Sequence, residues 1–328
     1  MTQTSRAPER DGASRRSRWL GWVNNVAGPL IIGGFFYFLW VRRAELTGSL
    51  EVTAADLAWL GIGTVLTTFT NSAQSYVLYR AVGVRIGFWE SFLLMMAASF
   101  GNYLPMRTGT LFRMHYMKQV HGLTYARFGS VFGVRVILMV GGTGLAGLAG
   151  AIAIYLAGGR LSLQLLSIFG AMVAVAIVVW AVPLPRGSSG RGRWRRILGD
   201  FLDGLALLRQ HPRAGAVVAL LIVAQYGSLS WRFLLASSAL GKDAPLGLLA
   251  ILGPVAGLSS FLSFTPGALG IREALMGYAT YAVGATFDSG IYIGTVDRTV
   301  QLVTVAVLGG ISFLYLWLST RARPAERR

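Results

Sequence analysis

The chain has 328 residues, of which 54% are hydrophobic and only 13% are charged, and its mean hydropathy is +0.57. A soluble domain carries about 25% charged residues, whereas several apolar runs here reach the roughly 20 residues that cross a bilayer as a helix. The composition excludes an ordinary soluble domain and predicts an all-α integral membrane protein.

The net charge of +17 raises the question of nucleic-acid binding. The basic residues flank the apolar runs, however, as expected if they stay in the cytoplasm next to anionic lipid. The absence of cysteine excludes disulfides and thiolate chemistry. The three histidines, His115, His121 and His211, have no common metal-site spacing. We therefore expect no nucleic-acid partner, no metal and no cofactor.

The predicted elements begin with a basic cytoplasmic tail at residues 1–18, which we expect to be disordered. An uncleaved first span follows from Trp22 to Val41, because no small-residue cleavage site ends this run. The second span, from Leu57 to Tyr79, carries a polar series that includes Asn71 and Gln74. We predict that these two side chains line a cavity.

The next apolar run, residues 88–104, is barely long enough to cross, and the stretch after it is too basic to lie outside. It predicts a re-entrant hairpin that turns between Pro105 and Gly109 at membrane depth. Non-helical backbone is tolerated there when it lines a cavity or is buried in protein. Two predicted spans follow, one at 131–157 that crosses to the outside and one at 163–182 that returns to the cytoplasm. A basic cytoplasmic linker at 183–196 then divides the chain.

The second half repeats this pattern. A span at 214–240 contains Gln225 and Arg232, which we also predict to line the cavity. A second hairpin, at 245–284, turns between Pro266 and Gly270, and a last span at 291–318 leads to a cytoplasmic tail at 321–328. At a constant offset of 161 residues the two breaks share identical or similar residues: Ser99 with Ser260, Phe100 with Phe261, Tyr103 with Phe264, Pro105 with Pro266, and Gly109 with Gly270.

Because the hairpins enter from opposite faces, the two halves predict an inverted repeat of the kind that transporters use. The predicted architecture has about six full transmembrane helices, two re-entrant hairpins and both termini in the cytoplasm. It forms a single transmembrane domain at residues 19–320, with half one at about 57–157 and half two at about 214–318.

Charged residues inside these segments are the candidates for function, because each costs roughly 2.5–3.5 kcal/mol to insert. Arginine binds phosphate through paired hydrogen bonds, and helix N-termini exposed at Pro-Gly breaks also favour anions. We predict a lipid-headgroup site between the hairpin breaks at Pro105, Gly109, Pro266, Gly267 and Gly270, formed by Arg113, Arg135, Arg272, Glu273 and Arg298. The alternative, for Glu273 and Asp297, is a structural ion-pair set such as Glu273 with Arg298.

At these two breaks the sequence resembles the lysylphosphatidylglycerol synthase transmembrane region, also called the flippase-like domain family. The resemblance covers about residues 20–320, although Ala268 stands where the family often has glycine. The residues that carry it are Leu104, Pro105, Gly109 and Arg113 in the first half, and PGALGIRE at 266–273 with the later Arg298 in the second.

The resemblance implies a multi-pass protein of the bacterial inner membrane. In relatives fused to a soluble aminoacyltransferase domain, this region flips aminoacylated phosphatidylglycerol to the outer leaflet. These 328 residues contain no counterpart of that domain, so we do not expect lysyl-lipid synthesis by this chain alone. Standalone relatives are linked with lipid-linked sugars and envelope glycans.

The leading hypothesis is a lipid translocase whose partners are membrane lipids. Residues 183–196 and the tails leave open a second hypothesis, a non-catalytic partner of a glycosyltransferase or lipid synthase. A third is a membrane glycosyltransferase, although the outward acidic residues are scattered and no catalytic set of residues assembles. The sequence does not choose an oligomeric state.

Overall fold

The computed structural model describes residues 52–103, 108–160, 162–181, 209–241, 244–261 and 268–322, together with isolated positions at 37, 40, 41 and 206. Most of the predicted first span, the linker at 183–196 and both tails lie outside the described residues, as do Pro105, Pro266 and Gly267 at the two breaks. The described ranges contain helices and the short connections between them, and no strand.

The described helices match the predicted elements closely, and α9 and α10 are joined by a π-helical turn at Val305–Gly309. Their bounds are α1 (Ala54–Ala81), α2 (Phe88–Gly101), α3 (Thr108–His121), α4 (Tyr125–Leu156), α5 (Leu163–Ala181), α6 (Pro212–Ser238), α7 (Leu246–Ser259), α8 (Ile271–Ala282), α9 (Phe287–Thr304) and α10 (Gly310–Ala322).

Among the described residues, four helical stretches are long and apolar enough to cross a membrane: α4, α5, α6 and Phe287–Thr320. Helix α1 has 28 residues, about 42 Å at 1.5 Å per residue, but its second half carries the polar series. The all-helical, multi-pass membrane fold is therefore confirmed. The number of full crossings and the re-entrant course of the hairpins stay predictions.

The first turn of α1 shows how the sequence begins a helix next to a membrane. Thr53 and Asp56 form a capping box, in which the Thr53 hydroxyl accepts from the Asp56 N–H, and Asp56 accepts from the Thr53 N–H at 2.9 Å. The bonds from the backbone and side chain of Thr53 lower the pKa of Asp56.

The helices α2 and α3, here called hairpin one, fold back on each other. Each has 14 residues, about 21 Å, which is less than the hydrocarbon core of about 30 Å. Thr108 donates to the Gly101 carbonyl at 2.8 Å beside the break, and Tyr116 donates to Glu90 at 2.7 Å at the far end. The helices α7 and α8, hairpin two, are equally short, with 14 and 12 residues, and also contact each other.

Among the described helices, the most extensive contact joins α1 of the first half to α6 of the second. Thr67 meets Ser228 at 3.0 Å between hydroxyl oxygens, Gln74 donates to Gln225 at 2.7 Å, and Trp59 lies edge-on to Trp231. Partner numbers fall along α6 as they rise along α1, so the helices run antiparallel. Thr67 and Ser228 are themselves 161 residues apart, so equivalent positions meet each other, as at a two-fold axis. This arrangement agrees with an inverted repeat.

Each hairpin packs against the last span of the opposite half. Helix α2 lies on the π-helical turn and α10, and α7 lies on α4. Small residues allow these approaches, since a Cβ on Gly309 would lie 2.8 Å from the Met96 carbonyl oxygen, and one on Gly150 would lie 3.0 Å from the Ile251 nitrogen. Each half therefore packs its hairpin against a helix of the other half.

Gly109 provides a test of hairpin one. A Cβ at this position would overlap the Ala98 carbonyl oxygen, and one on Gly101 would lie 2.6 Å from the Gly109 Cα. We expect Gly109→Ala to force α2 and α3 apart and to lower the melting temperature of the detergent-solubilised protein.

The matched control is Gly129→Ala on α4, where an added Cβ meets nothing within 4 Å. It should leave stability unchanged or raise it by up to about 1 kcal/mol, because alanine favours helix. Equal melting of Gly109→Ala and the wild type would contradict the close packing of hairpin one.

Candidate functional site

A cavity of about 500 Å³ lies between the ends of the two hairpins. Helices α1, α2, α3, α4, α6 and α9 contribute to its wall, and Ser99 and Ser260, which are equivalent in the repeat, both line it. The wall consists of Asn71, Met95, Ala98, Ser99, Asn102, Tyr103, Thr110, Arg113, Phe132, Arg135, Val136, Met139, Gln225, Ser260, Phe261, Ala268, Arg298 and Gln301.

Three arginines line this cavity, and each is more than nine-tenths buried: Arg113 is 6% exposed, Arg135 is 8% and Arg298 is 7%. Among the described residues, the Nε and Nη2 atoms of Arg298 have no hydrogen-bond partner, and neither has the Nε of Arg113 or of Arg135. Unsatisfied donors of buried cations are costly. An anion in the cavity would satisfy them.

Aromatic rings stack on two of these guanidinium groups. The Arg298 Cζ lies 5.1 Å from the centre of the Tyr103 ring, and the Arg113 Cζ lies 5.3 Å from that of Phe128 and 5.9 Å from that of Phe132. All three distances are within the range of cation–π attraction. A stacked guanidinium keeps its in-plane N–H groups available for an anion.

Neutral groups, rather than carboxylates, accept the hydrogen bonds of these arginines. Arg113 donates through Nη1 to the Met95 Sδ at 3.5 Å. Arg135 donates through Nη2 to the Asn71 amide oxygen at 2.6 Å. The Gln301 amide oxygen accepts from Arg298 Nη1 at 3.3 Å and from Arg272 Nη1 at 2.8 Å. The positive charge of the cavity wall is therefore not cancelled by its own hydrogen-bond partners.

A cluster of full charges lies directly behind Gln301. Asp297 on α9 binds Arg232 of α6 through Oδ1, at 2.8 Å to Nε and 2.7 Å to Nη2, and Arg272 of α8 through Oδ2 at 2.6 Å. Asp297 is completely buried, and Arg232 is 1% exposed. Since both carboxylate oxygens are occupied, this cluster holds three helices together next to the cavity.

Glu273 does not form the ion pair with Arg298 that the sequence suggested as a structural possibility. Its Oε2 accepts from the Gly270 N–H at 2.8 Å and caps the first turn of α8. Gly270 has a φ of +80°, which glycine adopts without strain and which directs its N–H to the side chain three residues on. Glu273 therefore orders the end of the second break.

The structure separates the predicted site residues into two groups. Asn71, Arg113, Arg135, Gln225 and Arg298 lie in the cavity wall. Four others lie in the packing around it, where Gln74 binds Gln225, and Arg232, Arg272 and Glu273 make the contacts just described. Gly109 packs against Ala98 in hairpin one, and Gly270 precedes α8.

Sequence reasoning missed Gln301, the residue that connects the cavity to the buried cluster. Its position three and four residues after Arg298 and Asp297 puts it on their face of α9, which is the signal that would have found it. It also missed Asn102 and Thr110, which border the first break.

Ala268 gives a test of the second break, because it has a φ of +58°, the left-handed conformation that glycine adopts freely. We expect Ala268→Gly to stabilise the protein by about 1 kcal/mol, measured as a higher melting temperature. Ala279→Gly, at a fully buried helical position of α8, should lower it instead. A destabilised Ala268→Gly variant would contradict this backbone geometry.

Asp297→Asn tests the buried cluster. Removing one partner of a buried ion pair costs about 3–5 kcal/mol, and here two arginines lose their carboxylate, so we expect a large loss of folded protein in detergent. Asp56→Asn, which alters only a cap, should cost about 1 kcal/mol. A similar melting temperature for Asp297→Asn and the wild type would remove the structural role of the cluster.

Comparison with known proteins provides the family. No curated protein matches the chain. The family profile described as "Lysylphosphatidylglycerol synthase TM region" matches residues 25–319, which include both hairpins, the cavity wall and the buried charge cluster. The chain therefore belongs to the lysylphosphatidylglycerol synthase transmembrane-region family.

Proposed function

We propose that the protein is a flippase-like lipid translocase of the bacterial inner membrane. It binds the anionic or phosphate-bearing headgroup of a lipid, such as an aminoacyl-phospholipid or a lipid-linked sugar, and moves it between leaflets. The observation that carries the proposal is the cavity between the hairpins, in which Arg113, Arg135 and Arg298 are buried with hydrogen-bond donors unused.

The size and chemistry of the cavity suit a headgroup. Its volume of about 500 Å³ lies within the range of about 300–1,000 Å³ that holds small ligands. Guanidinium groups bind phosphate oxygens through paired hydrogen bonds, and Ser99, Asn102 and Thr110 offer further polar groups for a sugar or glycerol hydroxyl. The acyl or prenyl chains remain in the bilayer.

The arrangement of the two halves supports a route for the headgroup. In the proposed mechanism, the antiparallel pair of α1 and α6 forms the fixed part of the protein. The breaks at 105–109 and 266–270 form the two sides of the gate. Movement of hairpin one opens the cavity to one leaflet, and movement of hairpin two opens it to the other, as in alternating access by inverted repeats.

Arg298 is the best residue for testing this function. Arg272 is bound to Asp297, so its removal would also disturb the buried cluster, whereas Arg298 has two free donors in the cavity. We expect Arg298→Gln to reduce lipid exchange at least tenfold, roughly the loss of one charge-assisted bond, with little change in melting temperature.

The assay uses the purified full chain in liposomes that contain labelled phosphatidylglycerol or a labelled polyprenyl phosphate, and it measures exchange between leaflets. Arg127→Gln is the matched control, because Arg127 is exposed on the same helix as Arg135 and should exchange lipid like the wild type. Normal exchange by Arg298→Gln would remove the headgroup role. If the folded wild type exchanged none of these lipids, the non-catalytic partner hypothesis would replace the translocase.

A further inference from the structure

Resting on the proposed translocase function, we infer that the cavity selects lipids whose headgroup is net negative and rejects aminoacylated phospholipids whose amines make them net positive. The selected class includes lipid phosphates, lipid diphosphates and phosphatidylglycerol. The inference therefore narrows the substrates of the proposed function, because it removes lysylated phosphatidylglycerol, the lipid in the family's description, from them.

The charges of the cavity wall carry this inference. The described wall contains three arginines and neither aspartate nor glutamate. Among the described wall residues, an ammonium group that entered the cavity would therefore find no carboxylate to bind.

Two buried carboxylates lie on the helices around the wall but do not line it. Asp297 is 0% exposed and binds Arg232 and Arg272 through both oxygens. Glu273 is also 0% exposed; its Oε2 accepts from the Gly270 N–H, and its Oε1 has no hydrogen-bond partner among the described residues. Neither residue belongs to the described cavity wall, so neither offers a site for a lysyl ammonium group.

Two neutral amides occupy the places where carboxylates would cancel the positive charge. Asn71 accepts from Arg135, and Gln301 accepts from Arg298 and Arg272. A buried cation without a counter-ion is costly, so an entering phosphate supplies the missing charge, while an ammonium group adds repulsion. The difference between these two cases gives the specificity.

At the same two amides, the charge of the cavity wall can be changed while the shape of the side chain is kept. Each of the variants Asn71→Asp and Gln301→Glu puts a carboxylate in place of an amide. In both cases the amide oxygen already accepts a hydrogen bond from arginine. Both variants should melt at the wild-type temperature or higher, because they complete buried ion pairs. Both should nevertheless exchange anionic lipid more slowly. A purely structural role for the arginines predicts the higher stability without the slower exchange.

The experiment compares labelled phosphatidylglycerol, lysyl-phosphatidylglycerol and a polyprenyl phosphate in liposomes that contain the full chain. We expect the wild type to exchange the two anionic lipids at least about tenfold faster than the lysylated lipid, a preference of about 1.4 kcal/mol. Asn71→Asp and Gln301→Glu should reduce this ratio. Gln119→Glu, an amide-to-acid change at an exposed position of α3, should leave it unchanged.

Equal exchange of lysylated and unmodified phosphatidylglycerol would overturn the inferred specificity and leave the translocase intact. An unchanged ratio in Asn71→Asp and Gln301→Glu would equally overturn the role of the cavity charges. Absence of exchange for every lipid would instead overturn the translocase.

A binding measurement in detergent tests the specificity independently of exchange. Phosphatidylglycerol and the polyprenyl phosphate should raise the melting temperature of the wild type, lysyl-phosphatidylglycerol should not, and Arg298→Gln should lose the effect. Stabilisation by inorganic phosphate or pyrophosphate, with none by the anionic lipids, would identify a soluble anion as the ligand and overturn the lipid specificity.

Discussion

The fold depends on the compensation of charge at membrane depth. Asp297 neutralises one of the two arginines that it binds, and in doing so it connects α6, α8 and α9. No water is available in hydrocarbon to replace such a contact. Ala268 and Gly270 can therefore keep positive φ angles, because the helices around them are fixed by the ion cluster and by the cap that Glu273 makes on Gly270.

The proposed site has the opposite character, since its arginines are buried without carboxylates. Asn71 and Gln301 hold two of them in position, and Tyr103 and Phe128 cover two of their faces. The protein thus keeps one set of buried arginines bound to a carboxylate and another set bound only to neutral groups. A buried polar group without a partner in a folded protein calls for an explanation, and a bound ligand is one. The unsatisfied arginine donors lie between hairpin one and hairpin two.

The packing of the two halves connects movement of the hairpins with the shape of the cavity. Each hairpin rests against the last span of the opposite half, and α1 and α6 meet around Thr67 and Ser228. A shift of either hairpin therefore changes the same central cavity. The π-helical turn at Val305–Gly309 lies where hairpin one contacts the last span, and such turns are frequent at functional sites.

Much of the helix pattern follows from the sequence, because hydrophobic length and basic flanks are local properties. The span predicted at 163–182 is the helix Leu163–Ala181, and the repeat offset of 161 residues reappears in the Thr67–Ser228 contact. Hydrophobic length and basic flanks predict where a helix crosses the membrane. They do not predict which side of the helix faces the cavity. The sequence therefore found Arg232 and Arg298 but did not predict that Arg232 binds Asp297 while Arg298 faces the cavity. The sequence suggests Arg298 as a possible ion-pair partner of Glu273, but Glu273 caps α8 instead. This cap depends on the positive φ of Gly270, which the sequence alone does not reveal.

In the proposed function an anionic lipid headgroup occupies the cavity between the hairpins. The decisive measurement is a structure determined in nanodiscs that contain phosphatidylglycerol. We expect phosphate density between the two breaks, with oxygen atoms about 2.7–2.9 Å from the Nε or Nη2 of Arg298, and further contacts to Arg113 or Arg135. Lipid density confined to the outer surface, with an empty or water-filled cavity, would contradict it.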